Sequence, residues 1–290
     1  MTQKKYVLDT LIDETVLAIF SQKDLAETLV LKGGTGLRFF QGMNNRGSTD
    51  IDFSHGGQIE NQDEYFKKLE GALKSHFLKM DLLAFDLKAT RKPKQVGAND
   101  PPGWGGWLIE FKFGDRESEQ LPIEARRRSA IVPEGSNTSK MEVEISEHEY
   151  VGDATSKSIR GVKVRGYSLA MFMGEKIRAI CQQSTKYRVE KEKKNRAKDF
   201  FDIFHLSQQM SSSDREELKK ILPAIFEAKG VTFELLNEFW NESFIGLQKR
   251  GFQAVQNQVR TKVEPFETYV ENIRFLLIQD LGFKSEKTGK

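Results

Sequence analysis

At 290 residues and a net charge of +3, the chain is long enough to bury a substantial core and to hold two lobes. Charged residues make up 30% and apolar ones 38%, no apolar run approaches a membrane span, and the N-terminus MTQKKYVLDT lacks an apolar signal core, so a membrane partner is not expected. The single Cys181 excludes an internal disulfide and fits a reducing cytoplasm, while the small net charge means that any nucleic-acid contact must come from local clusters.

The first elements follow from spacing. Val7 to Phe20 carries apolar residues at intervals of three and four, which predicts a helix, and Gln22 to Thr28 reads as a second short one. Leu29 to Leu31 is an apolar strand leading to Lys32 and a Gly33-Gly34-Thr35 turn, after which Gly34 to Gln41 reads as a helix. Met43 to Thr49 is a polar loop whose Arg46 and Ser48 either contact a triphosphate tail or shape the loop. It ends at Asp50-Ile51-Asp52-Phe53, where alternation puts both carboxylates on one strand face and Ile51 and Phe53 in the core behind.

This stretch carries a chemical reading of its own. Two carboxylates on one strand face offer the hard oxygen ligands that Mg²⁺ (or Mn²⁺) takes, with positions left for substrate phosphates. Glycines at the start of a helix let backbone N–H groups approach a phosphate closely. A phosphate cradle of Gly33, Gly34 and Thr35 followed by a metal seat at Asp50 and Asp52 points to nucleotide chemistry.

Further along, Asn61 to Met80 predicts an amphipathic helix, and Leu82 to Thr90, Trp107 to Phe113 and Lys140 to Ser146 alternate as strands. Arg91 to Gly106 is a Pro- and Gly-rich loop. Glu119 to Pro133 is ambiguous, with the triplet Arg126-Arg127-Arg128 either a solvated face or a phosphate contact. On the last strand Met141, Val143 and Ile145 point inward and Glu142 and Glu144 outward. Asp153 to Arg165 reads as a linker with a short strand at Val162 to Val164, and from Ser168, a sensible N-cap, the chain is helix after helix. Glu264 to Leu281 predicts a final helix. The expected class is therefore α+β: a mixed-sheet lobe flanked by helices, residues 1–155, and a helical lobe, residues 156–290.

Two signatures, in order, carry a resemblance. The first is the Gly-Gly-Thr corner followed by Arg46-x-Ser48-x-Asp50-x-Asp52. The second is Glu175-Lys176-x-x-Ala179, a basic linker, then Arg196-x-Lys198-Asp199-x-x-Asp202-x-x-x-Leu206. Together they resemble the AbiEii/AbiGii toxin family of the nucleotidyltransferase superfamily, to which the MenT toxins are related. The resemblance spans roughly residues 28–206.

It implies a nucleotidyltransferase-type sheet and transfer of a nucleoside monophosphate from NTP by a two-metal mechanism. The acceptor would be RNA, the tRNA 3′ end above all, and the partner a cognate antitoxin. It also implies a third carboxylate from a neighbouring strand, which by placement is Glu144, with Glu142 and Glu110 as alternatives. Lys176 would neutralise the triphosphate, and Asp199 would orient or deprotonate the attacking hydroxyl, as partners of Asp50 and Asp52 in catalysis. Seven basic residues between Lys186 and Lys198 would suit an RNA backbone or form a solvated linker. The rival readings are transfer to a protein or small-molecule hydroxyl, and a non-catalytic protein that grips RNA or an antitoxin. The four histidines show no metal-ligand spacing.

Overall fold

The computed structural model describes residues 6–43, 49–95, 104–187, 189, 193–259 and 262–284. The chain forms two compact units, the first running through Tyr167 and the second starting at Ser168. The expected boundary at 155/156 falls inside a hairpin of the first unit's sheet.

In the first unit, α1 (Leu8–Phe20), α2 (Lys23–Thr28), α3 (Gly33–Gln41), α4 (Gln62–Leu78) and the short α5 (Ile123–Arg128) accompany seven strands. These are β1 (Leu29–Lys32), β2 (Ile51–His55), β3 (Leu82–Lys92), β4 (Gly106–Asp115), β5 (Lys140–Ser146), β6 (Thr155–Ile159) and β7 (Val162–Gly166). They form one mixed sheet in the order β3-β4-β5-β2-β1-β7-β6. β2 lies near the centre, antiparallel to β1 and parallel to β5. Alternation does the sorting: Ile51, Phe53, Val143 and Ile145 are buried against α1 and α4, whose Ile12, Val16, Leu69 and Phe77 complete the core. Burying each such side chain contributes about 1.5–3 kcal/mol, which fixes the face that Asp52 and Glu144 must occupy.

Three local departures from the sequence reading have physical causes. Residues expected as a linker form the β6–β7 hairpin, turned at Arg160 and Gly161, both with positive φ. All of β6 but Ile159 is exposed, so it carries no alternation to read. The helix α3 begins directly on Gly33 without an intervening turn, and β2 begins at Ile51, leaving Asp50 just outside the strand. The ambiguous stretch is a 3-10 turn (Arg116–Gln120) and α5. Its Arg127 is committed to Asp86 at 2.6 Å and Glu124 at 2.7 Å, and Arg126 and Arg128 bond backbone carbonyls.

The second unit is helical: α6 (Leu169–Cys181), α7 (Ala197–Ser207), α8 (Ser212–Glu227), a 3-10 helix (Phe233–Trp240), α9 (Glu242–Lys249), α10 (Phe252–Gln258) and α11 (Phe266–Phe275), which continues as a π-helical turn. Ser168 caps α6 as expected, accepting from the Met171 N–H at 3.2 Å. Cys181 is buried, burial pushes its thiol well above the ordinary range, and its Sγ donates to the Leu235 carbonyl at 3.6 Å, a packing role. Phe200, Phe226, Phe239 and Phe266 anchor this unit's core. Among the described residues, no helix is long and apolar enough to cross a membrane.

Candidate active-site residues

The first cluster is built on the sheet face turned away from the α1/α4 core. Lys32 pairs with Asp52 across β1 and β2, and Asp52 pairs with Glu144 across β2 and β5. Partners in register point to the same face, so these three residues form a row along neighbouring strands. Register also separates the three candidate glutamates. Glu144 is Asp52's neighbour, whereas Glu142 pairs with Glu110 on β4, and Glu110 is bonded to Lys140 at 2.6 Å.

Asp52 is held tightly. Gly33 has φ +64°, and a Cβ placed there would lie 2.0 Å from Asp52 Oδ2, so the carboxylate rests against the bare backbone where α3 begins. Only glycine allows both the left-handed backbone and this approach. The positive end of the α3 dipole favours negative charge at that spot. Thr35, fully buried, spends its hydroxyl on the Asp50 carbonyl at 2.9 Å, tying the first turn of α3 to the entry of β2. Asp50 is exposed, and its carboxylate accepts from Thr49 Oγ1 at 3.0 Å. Glu144 is half-exposed and paired with Lys92 at 3.2 Å. Arg46 and Ser48 lie outside the described residues.

Lys32, Ser146 and Glu149 extend the cluster and escape a reading of the sequence by periodicity. Lys32 Nζ donates to Ser146 Oγ at 3.0 Å and to Glu149 Oε1 at 3.2 Å, with Lys32 and Glu149 both buried. A buried ion pair is costly to desolvate and weak evidence for stability, so Lys32 and Glu149, next to Asp52 in strand register, are candidates for a functional role. One signal was legible: Lys32 is a charged residue closing an otherwise apolar strand directly before two glycines. Glu149 offers none, since it sits in the irregular EHEY segment after β5.

The donor chemistry of this cluster fits a divalent cation. Asp50 and Asp52, two residues apart, supply hard oxygens, and an ion there would fill its other positions with water and phosphate oxygens. Among the described residues, no three His, Cys, Asp or Glu side chains gather as a ready metal set. Glu144 is beside Asp52 in register but turned to Lys92.

The second cluster lies within the helical unit. Lys176 on α6 donates to Asp199 Oδ1 at 2.9 Å and Asp202 Oδ2 at 2.6 Å, both on α7. Asp199 and Asp202 are three residues apart, hence on one helical face. Asp199 also lies 3.7 Å from Arg196. All three members are buried, so Lys176 is not an exposed helix lysine. The basic stretch is less open than its charge suggests. Lys186 pairs with buried Glu238 at 2.7 Å, and Lys193 donates to the Gln182 and Tyr187 carbonyls. Arg188 and Lys191 lie outside the described residues.

Solved structures similar to the chain include JHP933 from Helicobacter pylori (13% identity, 95% of this chain and 90% of that chain covered, TM-score 0.49). A presumed nucleotidyltransferase from H. pylori gives 15% identity, 97% and 96% coverage and a TM-score of 0.46. A nucleotidyltransferase-like antigen from Paracoccidioides brasiliensis gives 16%, 76% and 91%, and 0.36. No curated protein matches the chain in sequence. Assignment rests on the sequence family instead: the model for the nucleotidyl transferase AbiEii toxin of type IV toxin–antitoxin systems matches residues 15–272, nearly the whole chain and both clusters. With the glycine corner, the Asp50/Asp52 pair and the Lys176–Asp199 cluster all inside that match, the chain belongs to the AbiEii nucleotidyltransferase toxin family.

Proposed function

We propose that this protein is the toxin of a toxin–antitoxin pair and acts in the cytoplasm, transferring a nucleoside monophosphate from NTP to an RNA hydroxyl, with the tRNA 3′ end as acceptor. The observation that supports this reading is the Asp52 carboxylate resting against Gly33 at the start of α3, since a carboxylate can ligate a cation and a helix N-terminus can receive phosphate. Asp50 and Asp52, with Glu144 as the third carboxylate, would hold Mg²⁺ (or Mn²⁺). When bound, the cations supply neutralisation of the triphosphate and activation of the attacking oxygen.

The chain's own groups do the rest. Backbone N–H groups of Gly33, Gly34 and Thr35 receive phosphate oxygens, with Arg46 and Ser48 assisting. Lys32, held by Ser146 and Glu149, is Asp52's neighbour in strand register and would add positive charge to this face. Asp199 orients the acceptor hydroxyl and takes its proton as the oxygen attacks the α-phosphorus. The bond from that phosphorus to the bridging oxygen breaks, and Lys176 compensates the charge that develops on departing pyrophosphate. Blocking a tRNA 3′ end would prevent aminoacylation and arrest growth, and a cognate antitoxin would restrain it.

A second reading, transfer to a protein or small-molecule hydroxyl, is favoured by one observation: Lys186, Lys193 and Arg196 are engaged in internal contacts. Incubation with each α-labelled NTP, total tRNA and Mg²⁺, then with EDTA, separates the two. Labelled RNA that disappears with EDTA and with Asp52→Asn is the expected result. Labelled protein alone would favour the second reading. Growth arrest that persists unchanged in Asp52→Asn would mean that the protein works by binding rather than catalysis.

A further inference from the structure

Two carboxylates compete for Lys32 at the end of β1. By register the nearer is Asp52, since facing residues of an antiparallel pair have Cβ atoms about 4.5–5.5 Å apart, well inside the reach of a lysine. The ammonium goes instead to the far side of β2. It donates to Ser146 Oγ on β5 at 3.0 Å and to Glu149 Oε1 at 3.2 Å, with only 11% of the Lys32 side chain and 5% of the Glu149 side chain exposed.

The backbone after β5 is shaped to bring Glu149 there. Along β5 alternation sends Met141, Val143 and Ile145 to the core and Glu144 and Ser146 to the opposite face, so Glu147 and Glu149 would both follow Ile145 inward. Glu147 does so: it is fully buried and accepts from the Ile59 N–H at 2.8 Å and from Trp107 Nε1 at 3.1 Å. His148 then takes φ +51°, the left-handed region that few non-glycine residues adopt, and Glu149 emerges on the face of Lys32. Backbone bonds pin the turn, from the His148 N–H to the Gly57 carbonyl at 3.3 Å and from the Glu149 N–H to the His55 carbonyl at 3.1 Å. Glu149 is therefore aimed by its own frame and not merely drawn in by Lys32.

A buried ammonium offered a charged and a neutral acceptor takes the charged one, because charge-assisted hydrogen bonds are about twice as strong. Without the charge of Glu149, the neighbouring carboxylate in register is Asp52. We propose that Glu149 is a positioning residue for cation binding: it holds the Lys32 ammonium at Ser146 and so keeps it from capping the Asp52 carboxylate, which the divalent cation takes instead. This rests on the cation seat proposed above and adds to it the residue that sets its affinity.

Mn²⁺ binding to the full chain without nucleotide, read from the free-ion EPR signal, tests this apart from catalysis. Asp52→Asn should bind Mn²⁺ at least about tenfold more weakly than wild type, as expected when a ligand is lost. Glu149→Gln should weaken Mn²⁺ about tenfold, the effect of Lys32 occupying Asp52 about nine-tenths of the time. Lys32→Gln, and the double variant Lys32→Gln/Glu149→Gln, should both stay within about threefold of wild type, since no ammonium is left to move. Each amide keeps side-chain volume and a hydrogen-bonding end, so the variants are expected to fold, as checked by thermal melts. The double variant buries no unpaired charge and decides against wild type if a single variant fails to fold.

Glu149→Gln binding Mn²⁺ as wild type does overturns the inference and leaves the cation seat intact. Lys32→Gln binding more tightly by the factor that Glu149→Gln loses also overturns it, because the two charges then act only through their field. A double variant as weak as Glu149→Gln overturns it too, since the network would then be a structural support. Equal Mn²⁺ binding by Asp52→Asn and wild type overturns the seat itself.

Discussion

Gly33→Ala tests the contact on which the first cluster turns. Its cost has two parts. An alanine at φ +64° pays for a left-handed backbone, roughly 1–2 kcal/mol. Its Cβ would also sit 2.0 Å from Asp52 Oδ2, where ordinary contact begins at 3.4 Å, so the carboxylate must move by about 1.4 Å. A displacement of that order in a reacting constellation costs about 100-fold in rate. Gly42, which ends the same helix, supplies the control: it has the same φ of +64°, and among the described residues nothing lies within 4 Å of an added Cβ. Gly42→Ala should therefore lose about 1–2 kcal/mol in urea melts, measured by circular dichroism, and Gly33→Ala should lose more, by the cost of displacing Asp52. Label transfer from NTP should fall about 100-fold in Gly33→Ala and stay within about threefold of wild type in Gly42→Ala. Equal activity in the two variants, with Gly33→Ala folded, would refute the role given to the Asp52–Gly33 contact.

Other consequences are as direct. Lys176→Met removes the cation shared by buried Asp199 and Asp202 and should lower stability by about 3–5 kcal/mol; a loss below about 1 kcal/mol in the urea midpoint would show that the cluster does not hold α6 to α7. Hydrogen bonds from Arg127 hold the Asp86 carboxyl below its ordinary 3.8, so its contribution is present above that value and lost as pH falls through the lower folded pKa. Asp86→Asn keeps a residue type that tolerates φ +57° while removing the charge, so wild-type and variant midpoints should converge as pH drops from about 6 to about 3; a constant gap would refute the assignment. Chelation by EDTA should abolish transfer without moving the melting temperature by more than about 2 °C, because the proposed ligands Asp50 and Glu144 are exposed or half-exposed and no core residue depends on them.

What the sequence made legible follows from how each feature is encoded. α1, α4 and β5 are one-sided, so burial writes its period into the residue order, and the α+β class with a helical second half follows. β6 is exposed on nearly every residue and left no trace. The glycine corner and acidic pair were readable because the chemistry demands rare residue types at short range. Lys32 with Glu149, and the depth at which Lys176 is buried, depend on partners 117 and 23 residues away. Such pairings leave no local mark on composition. The basic stretch was read as open charge because carboxylates such as Glu238 meet it only after folding.

The central place of β2 has a consequence for how this family can vary. The strand bearing Asp52 is locked on both sides, to β1 through Lys32 and to β5 through Glu144. The chain between β1 and β2 is, by contrast, an excursion that leaves the sheet as α3 and returns to the neighbouring position. Lengthening such an excursion costs only about 0.6 kcal/mol per doubling and shifts no register. The fifteen residues between Gly34 and Asp50 are thus one permitted length among many. Sequence distance can drift there while the distance in space between carboxylate and glycine stays fixed.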